Sequence, residues 1–270
     1  MKNSNIPSYI IAIILAIIFI YPLYILILIA FEPVSLTFDR LYPYQLPFDF
    51  TLANFKASIK DLSLIAPVLR SVVVAFIVAI LAIVLSTSAG YGLNKISSKF
   101  SNKIIVLMFF ANMLPAIVIA IPISVYFIKL GLYDNVFGIA LAQELVVLPI
   151  STFIMLGGFR ALPVDLENQT NIDGANLLSS FRYVIIPLIR VPLIITFLLA
   201  WMTSWDEFTY AIIISPLAPT FPVSLYDYVS RGDPFISSSF ALLVTIPVIV
   251  IVVFLQKYLK GEYLTGGMKA

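Results

Sequence analysis

Long stretches without a charged residue alternate along this chain with short polar ones. Residues 3–31, 71–94, 104–128 and 234–256 contain no Asp, Glu, Lys or Arg. Each exceeds the roughly 20 residues that cross a ~30 Å hydrocarbon core at 1.5 Å per residue. A fifth run, 135–159, is interrupted only by Glu144, and a sixth climbs from Pro187 to Asp206 and Glu207. The pattern predicts an all-α membrane protein with six transmembrane helices, at about 8–31, 67–92, 104–126, 136–158, 184–212 and 236–258. The helix over 184–212 admits a second reading, in which it ends near Trp205 and residues 208–214 re-enter.

Composition agrees: 61% of residues are apolar and 11% charged, with a mean hydropathy of +1.06, whereas soluble domains carry about 25% charged residues. Lysine and arginine set the orientation. With both termini in the cytoplasm, the inner side holds ten basic residues: Lys2, Lys95, Lys99, Lys103, Arg160, Arg182, Arg190, Lys257, Lys260 and Lys269. The outer side then holds six, Arg40, Lys56, Lys60, Arg70, Lys129 and Arg231, so both termini are placed inside. The first run starts soon after Lys2, but it is too long for the apolar core of a secretory signal and lacks a clear cleavage site, so it reads as a retained anchor. The chain has neither cysteine nor histidine. Disulfides, thiol nucleophiles, ordinary zinc sites and imidazole relays are therefore excluded. No G-x-x-x-x-G-K-[ST] run occurs, so the chain supplies no Walker-type nucleotide site.

Between the runs lie an outer loop, 32–62, rich in proline and aromatics, and a polar segment, 162–182. No internal repeat or linker divides the chain, which reads as one transmembrane domain over 1–270. Pro67, Pro115, Pro122, Pro149, Pro187, Pro192 and Pro247 fall within or at the ends of spans, where proline removes a backbone donor and bends the helix. In the polar segment, Pro163 suits a first helical turn, Asp165 and Glu167 suit the N-terminal dipole, and Gly174 suits a C-terminal break. Asp173 is placed to cap a second helix starting near Ala175. Leu162, Leu166 and Ile172 are expected to face the spans, with Glu167, Asn168, Gln169 and Asn171 exposed. Two readings stay open on physics alone, a helical knob for a soluble partner or a plain loop.

The segment is similar to the signature loop of binding-protein-dependent ATP-binding cassette permeases, in which Glu-Ala-Ala, three residues, Gly, nine residues and Ile-x-Leu-Pro follow in order. Here the glycine is Gly174, the nine residues run from Ala175 to Tyr183, and Val184, Ile186 and Pro187 fill the ending. The triplet departs, reading Asn168, Gln169 and Thr170 with the glutamate one place earlier at Glu167, while Asp173, Gly174 and Ala175 match. AGYGLNK at 89–95, MLPAIVIAIPISVYFIKLGLYDN at 113–135, VVLPI at 146–150, SWDEF at 204–208 and the tail LQKYLKGEYLTGGMKA at 255–270 resemble the carbohydrate-uptake branch. Within it they resemble the second, smaller membrane subunit of maltose-type transporters. The resemblance runs from about Thr51 to the end, with one further departure at Asp206, where the family usually has asparagine.

The resemblance implies a type I importer permease fold with a cytoplasmic coupling helix between spans 4 and 5. It implies a subunit of a sugar importer in the cell (cytoplasmic) membrane, itself not an enzyme and without a cofactor of its own. Its partners would be a second permease, two ATPase subunits that bind the ATP and magnesium, and an external sugar-binding protein. Coupling would fall on Glu167, Asn168, Asp173, Gly174, Ala175 and Pro187.

A sugar path is sought among polar and aromatic residues in the spans. Trp201 and Trp205 lie one helical turn apart beside Asp206 and Glu207, which suits a polyhydroxylated ligand or an interfacial aromatic belt. Asn112, Gln143 and Glu144 are the other candidates, and Glu144 could instead pair with a partner subunit or reach outward. An alternative function is a proton-coupled secondary transporter using Glu144, Asp206 or Glu207, although such proteins usually show internal repeats. An intramembrane hydrolase lacks a nucleophile and base here.

Overall fold

A computed structural model describes residues 6–35, 50–163, 165–172, 174–231 and 234–266, and no strand occurs among them. The helices are α1 (Ile6–Phe31), α2 (Ala53–Lys60), α3 (Leu62–Lys95), α4 (Ser98–Ala111), α5 (Ala116–Leu130), α6 (Val136–Arg160) and α7 (Leu166–Ile172). They continue with α8 (Leu177–Ser180), a π-helical turn (Phe181–Ile185), α9 (Ile186–Leu188), α10 (Arg190–Trp205), α11 (Thr209–Ile214), α12 (Phe221–Ser230) and α13 (Pro234–Gly266).

Four stretches are long and apolar enough to cross a membrane unaided: Tyr9–Phe31, Ser63–Lys95, Val136–Arg160 and Pro234–Phe254. Two more crossings are available only as bent pairs. The run read as one helix over 104–126 is broken between α4 and α5, which meet at 87°. With 14 and 15 residues, each is about 21–23 Å long at 1.5 Å per residue, short of the ~30 Å core. The break falls at Asn112–Pro115, and Pro115 starts α5 where its missing N–H costs no helical bond. The run read over 184–212 is likewise broken. The segment Leu178–Leu188 meets α10 at 76°, α10 ends at Trp205, and α11 is a separate short helix. Just before Pro187 the backbone widens into the π-helical turn, which makes room for a proline ring that would clash in a regular α-turn. The structure thus holds four continuous candidate spans, and up to six if each bent pair counts as one.

The chain forms two compact units, one of residues up to Ala66 with Ser224–Pro247, the other of Pro67–Val223 with residues from Val248. In the first, Asn54 Nδ2 donates to Ala30 O at 3.1 Å and Glu32 O at 2.8 Å, satisfying carbonyls at the end of α1. Ser239 Oγ donates to the same Ala30 O at 3.0 Å. Ser58 Oγ reaches Ile236 O at 3.3 Å, Tyr228 OH donates to Asp61 Oδ2, and Phe31 packs on Phe55 with ring centroids 4.7 Å apart.

The second unit is built on α6, of whose most apolar window 61% is buried, against 33% for α3. Small residues make this possible, since helices in a membrane associate by close packing rather than by hydrophobic exclusion. Helix α10 approaches closely at Gly158, where a Cβ would stand 2.6 Å from Pro192 Cγ and 2.9 Å from its Cβ. Helix α6 also holds α4 at both ends. Arg160 Nη2 donates to Ser101 Oγ at 3.1 Å and Asn102 Oδ1 at 3.0 Å, and Asn112 Nδ2 donates to Val146 O at 3.1 Å. Near Arg160, Met155, Phe159, Ile185 and Ile189 form a buried cluster. Tyr91 of α3 closes it, 5.6 Å from Phe159 and 4.8 Å from Phe181 between ring centroids.

Proline is a rigid neighbour, so the α6–α10 contact tests directly. Gly158→Ala is expected to destabilise the fold by about 1–3 kcal/mol, the usual cost of overpacking. Thermal unfolding of the purified membrane protein checks this, and an unchanged midpoint would mean that the two helices part without cost.

Candidate translocation and coupling sites

Two regions of the second unit collect the residues that the sequence singles out. In the first, Gln143 of α6 is 1% exposed and bridges three segments. Its Oε1 accepts from Ser204 Oγ of α10 at 2.5 Å, and its Nε2 donates to Glu207 Oε2 at 3.1 Å. Glu207 also accepts from the backbone N–H groups of Tyr210 at 2.8 Å and Ala211 at 3.1 Å. Its carboxylate therefore satisfies the first donors of α11, where a negative charge is favoured. The next segment is fastened to the α5–α6 turn by Asp134, whose φ of 54° is left-handed. Asp134 N donates to Ile214 O at 2.9 Å, and its Oδ1 accepts from Leu217 N at 3.0 Å. Neither Ser204 nor Asp134 was a candidate from sequence, because a pairing between residues 61 or 83 positions apart leaves no local trace.

The tryptophans lie inside this unit. Trp201 and Trp205 stack with centroids 4.9 Å apart and planes 13° apart. Trp205 also packs on Phe221 at 4.6 Å, Phe76 meets the edge of Trp201 at 6.4 Å, and both indoles are buried. Asp206 is exposed at the end of α10, and Glu207 is half-buried. Asn112 is exposed in the α4–α5 break, and its contact at Val146 O lies next to Leu145, the carbonyl to which Pro149 supplies no N–H. Glu144 is 4% exposed, and neither carboxylate oxygen has a hydrogen-bond partner among the described residues.

The second region is the segment after α6. Helix α7 ends on Gly174, whose φ is +78°. Ala175 N donates to Thr170 O at 3.0 Å, the six-to-one bond of a Schellman turn. A Cβ at Gly174 would meet nothing within 4 Å, so the glycine is required by the backbone angle alone. The second helix starts at Leu177 rather than near Ala175, and its cap is Asn176, whose Oδ1 accepts from Ser179 N at 2.9 Å. Asp173, expected in that role, lies outside the described residues, and nothing is described for the side chains of Glu167, Asn168 and Asn171. The two helices are joined by Ser180 Oγ on Thr170 Oγ1 at 3.0 Å. Gln169 is exposed, Ala175 half-buried and Pro187 exposed. Leu162 and Leu166 are half-buried, but Ile172 is 85% exposed. It belongs to the outward surface, because α7 is too short to carry a full apolar stripe back to the spans.

A carboxylate buried without a partner is far costlier than a buried amide. Glu144→Gln is therefore expected to raise the thermal midpoint of the purified protein by a few degrees, since about 1 kcal/mol moves it by about 2–4 °C at this size. A lower midpoint would mean that the carboxylate meets a cation supplied by another subunit.

Comparison with known proteins agrees with this architecture. The profile of the family described as "Binding-protein-dependent transport system inner membrane component" matches residues 82–262. The trehalose/maltose transport system permease protein MalG of Thermococcus litoralis is 27% identical over 266 residues, covering 96% of this chain and 94% of that protein. The sulfoquinovosyl glycerol transport system permease protein SmoH of Agrobacterium fabrum is 28% identical, covering 81% and 78%. Among solved structures, a chain of a bacterial ABC transporter involved in the import of the acidic polysaccharide alginate superposes with a TM-score of 0.80. That match is 19% identical and covers 96% of this chain and 98% of the other, so the fold is shared. With its profile matched across α6, the segment around Gly174 and α10, the chain belongs to the family of inner-membrane components of binding-protein-dependent transport systems.

Proposed function

We propose that this chain is a membrane-spanning permease subunit of an ATP-driven, binding-protein-dependent importer of mono- or oligosaccharides in the cytoplasmic membrane. The observation that carries the reading is the family match across residues 82–262. The sugar is supported by relatives named for transport of trehalose/maltose, of trehalose and of diacetylchitobiose, each covering 89% or more of the chain. In this reading the two bent pairs each count as one span, giving six, with both termini in the cytoplasm and the whole chain acting as one permease domain. ATP and magnesium belong to two ATPase partners. A second permease completes the path, and an external protein delivers the sugar. A binding-protein partner is supported by the second solved neighbour, an alginate transporter in complex with a pentasaccharide-bound periplasmic protein, at a TM-score of 0.66.

The coupling role falls on α7 and α8. Gly174 and the Thr170–Ser180 bond mount them as one piece, and the exposed side chains of Ile172 and Leu178, at 85% and 78%, offer apolar anchors to a soluble partner. For transport, the mount must be held differently in the two states of the cycle, since a contact equal in both shifts nothing. In the path, the exposed Asn112 and Asp206 and the half-buried Glu207 are the groups that a sugar can reach from this chain. Gln143 is buried and holds Glu207 through its Nε2, while Glu144, Trp201 and Trp205 are buried in the same unit.

Isolation of the chain from native membranes in mild detergent, followed by mass spectrometry and a sugar-stimulated ATPase assay, tests the reading. A second permease and an ATPase are expected in the recovered complex. A lone chain without an ATPase would instead favour a proton-coupled carrier built on Glu144, Asp206 or Glu207. In the intact complex, Gly174→Arg is expected to leave ATP hydrolysis running while sugar uptake falls by an order of magnitude or more, and normal sugar-stimulated hydrolysis with normal uptake would contradict it. An arginine there adds bulk and is strained at φ +78°, by roughly 1–2 kcal/mol.

A further inference from the structure

Five hydroxyls inside the second unit have no hydrogen-bond partner among the described residues: those of Ser86 and Thr87 on α3, Ser151 and Thr152 on α6, and Thr196 on α10. Ser86, Ser151, Thr152 and Thr196 are each 0% exposed. A helical hydroxyl commonly satisfies itself on the carbonyl four residues back, as Ser88 does on Val84 O at 2.8 Å and Thr245 on Ala241 O at 2.9 Å. These five do not.

Contacts along α6 bring them to one level. A Cβ at Gly90 would stand 2.9 Å from Leu156 N and 3.0 Å from Met155 Cβ. Further on, Asn94 and Arg160 line one cavity at the ends of the same two helices, so α3 and α6 run parallel. Ser86 and Thr87 lie one turn before Gly90, and Ser151 and Thr152 lie one turn before Met155 and Leu156. Helix α10 runs the other way, from the Gly158–Pro192 contact to the Gln143–Ser204 bond. Thr196 is a third of the way along that stretch and comes level with Thr152 to within a turn. It is four residues from Pro192, on the face toward α6, while Ser151 is two turns from Gly158, on the face toward α10.

We propose that these hydroxyls form an internal hydration site, where bound water bridges α3, α6 and α10 within the membrane. A hydroxyl both donates and accepts, as water does, so one water molecule can take bonds from several of them. A cation fits worse. Neither α3 nor α10 carries an acid, and the one acid of α6, Glu144, is two turns from Ser151, roughly 10 Å along the helix. An ion among neutral hydroxyls would stay uncompensated. Dry packing would leave each hydroxyl with the full cost of losing its water. Bound water can also exchange partners when the helices shift, so the polar groups stay satisfied in more than one register. The site belongs to the fold and does not depend on the function proposed above.

The test uses the whole transporter in lipid nanodiscs and reads side-chain oxidation by mass spectrometry after a millisecond X-ray pulse, which makes hydroxyl radicals from nearby water. Met155, 0% exposed and one turn from Ser151, is expected to be oxidised readily, with Met113, 75% exposed, as the control. The pair Thr152→Val with Thr196→Val keeps the side-chain shape and removes two hydroxyls. It should lower Met155 oxidation several-fold and leave Met113 unchanged. Each single variant should also lower the thermal midpoint by a few degrees, because a buried water loses a partner. Protection of Met155 in the wild type would overturn the proposal. So would a raised midpoint in both variants, the result expected of hydroxyls buried dry. A midpoint that rises when sodium or potassium replaces choline at constant ionic strength, in the wild type but not in the variants, would overturn it in favour of a cation.

Discussion

The seam between α6 and α10 is the constraint on which the second unit depends. In a bilayer, apolar surface gains little by leaving lipid for protein, so helices stay together through close backbone approach and paired polar groups. The seam has both. Gly158 admits the Pro192 ring at one end, and Gln143 receives the Ser204 hydroxyl at the other. The remaining elements hang from the same helix: α4 by Arg160 and Asn112, α11 through Gln143 and Glu207. The segment after α6 returns onto it through Ile185 and Ile189 against Met155 and Phe159.

Polar groups inside the unit divide into those spent on structure and those left over. Gln143 uses both ends of its amide, and Glu207 is committed to the start of α11. Glu144, one residue away on the helix, has no partner among the described residues and is just as buried. Neighbouring positions on one helix face different surroundings because each residue turns the side chain by about 100°. That is why two adjacent polar residues in a span have such different standing.

The continuous spans at 9–31 and 136–160 could be read from the chain because unbroken apolar length is a local property. The bends could not. Pro115 and Pro192 announce that a helix can break, but the angles of 87° and 76° are set by what packs on each half. The helical segment around Gly174 was legible from its turn residues, whereas the shift of its second cap from Asp173 to Asn176 depended on where the chain left the Schellman turn. Ile172 was misplaced because an apolar residue in so short a helix has no periodicity from which to assign a face. Among the candidates in the spans, residue type singled out Gln143 and Glu207, but their bond to each other and the parts taken by Ser204 and Asp134 are matters of tertiary contact.

The left-handed turn at Gly174 separates the bearing of α7 from its side chains. Its direction is fixed by one backbone angle, one main-chain bond from Ala175 to Thr170 and one hydroxyl pair. Of these, only the hydroxyl pair draws on a side chain of α7 itself, that of Thr170. The exposed Gln169 and Ile172 take no part in these contacts, so the face of α7 can change at those positions while the bracket that carries it stays the same. Such a part is interchangeable in the engineer's sense, with a standard fitting on one side and a freely machined surface on the other.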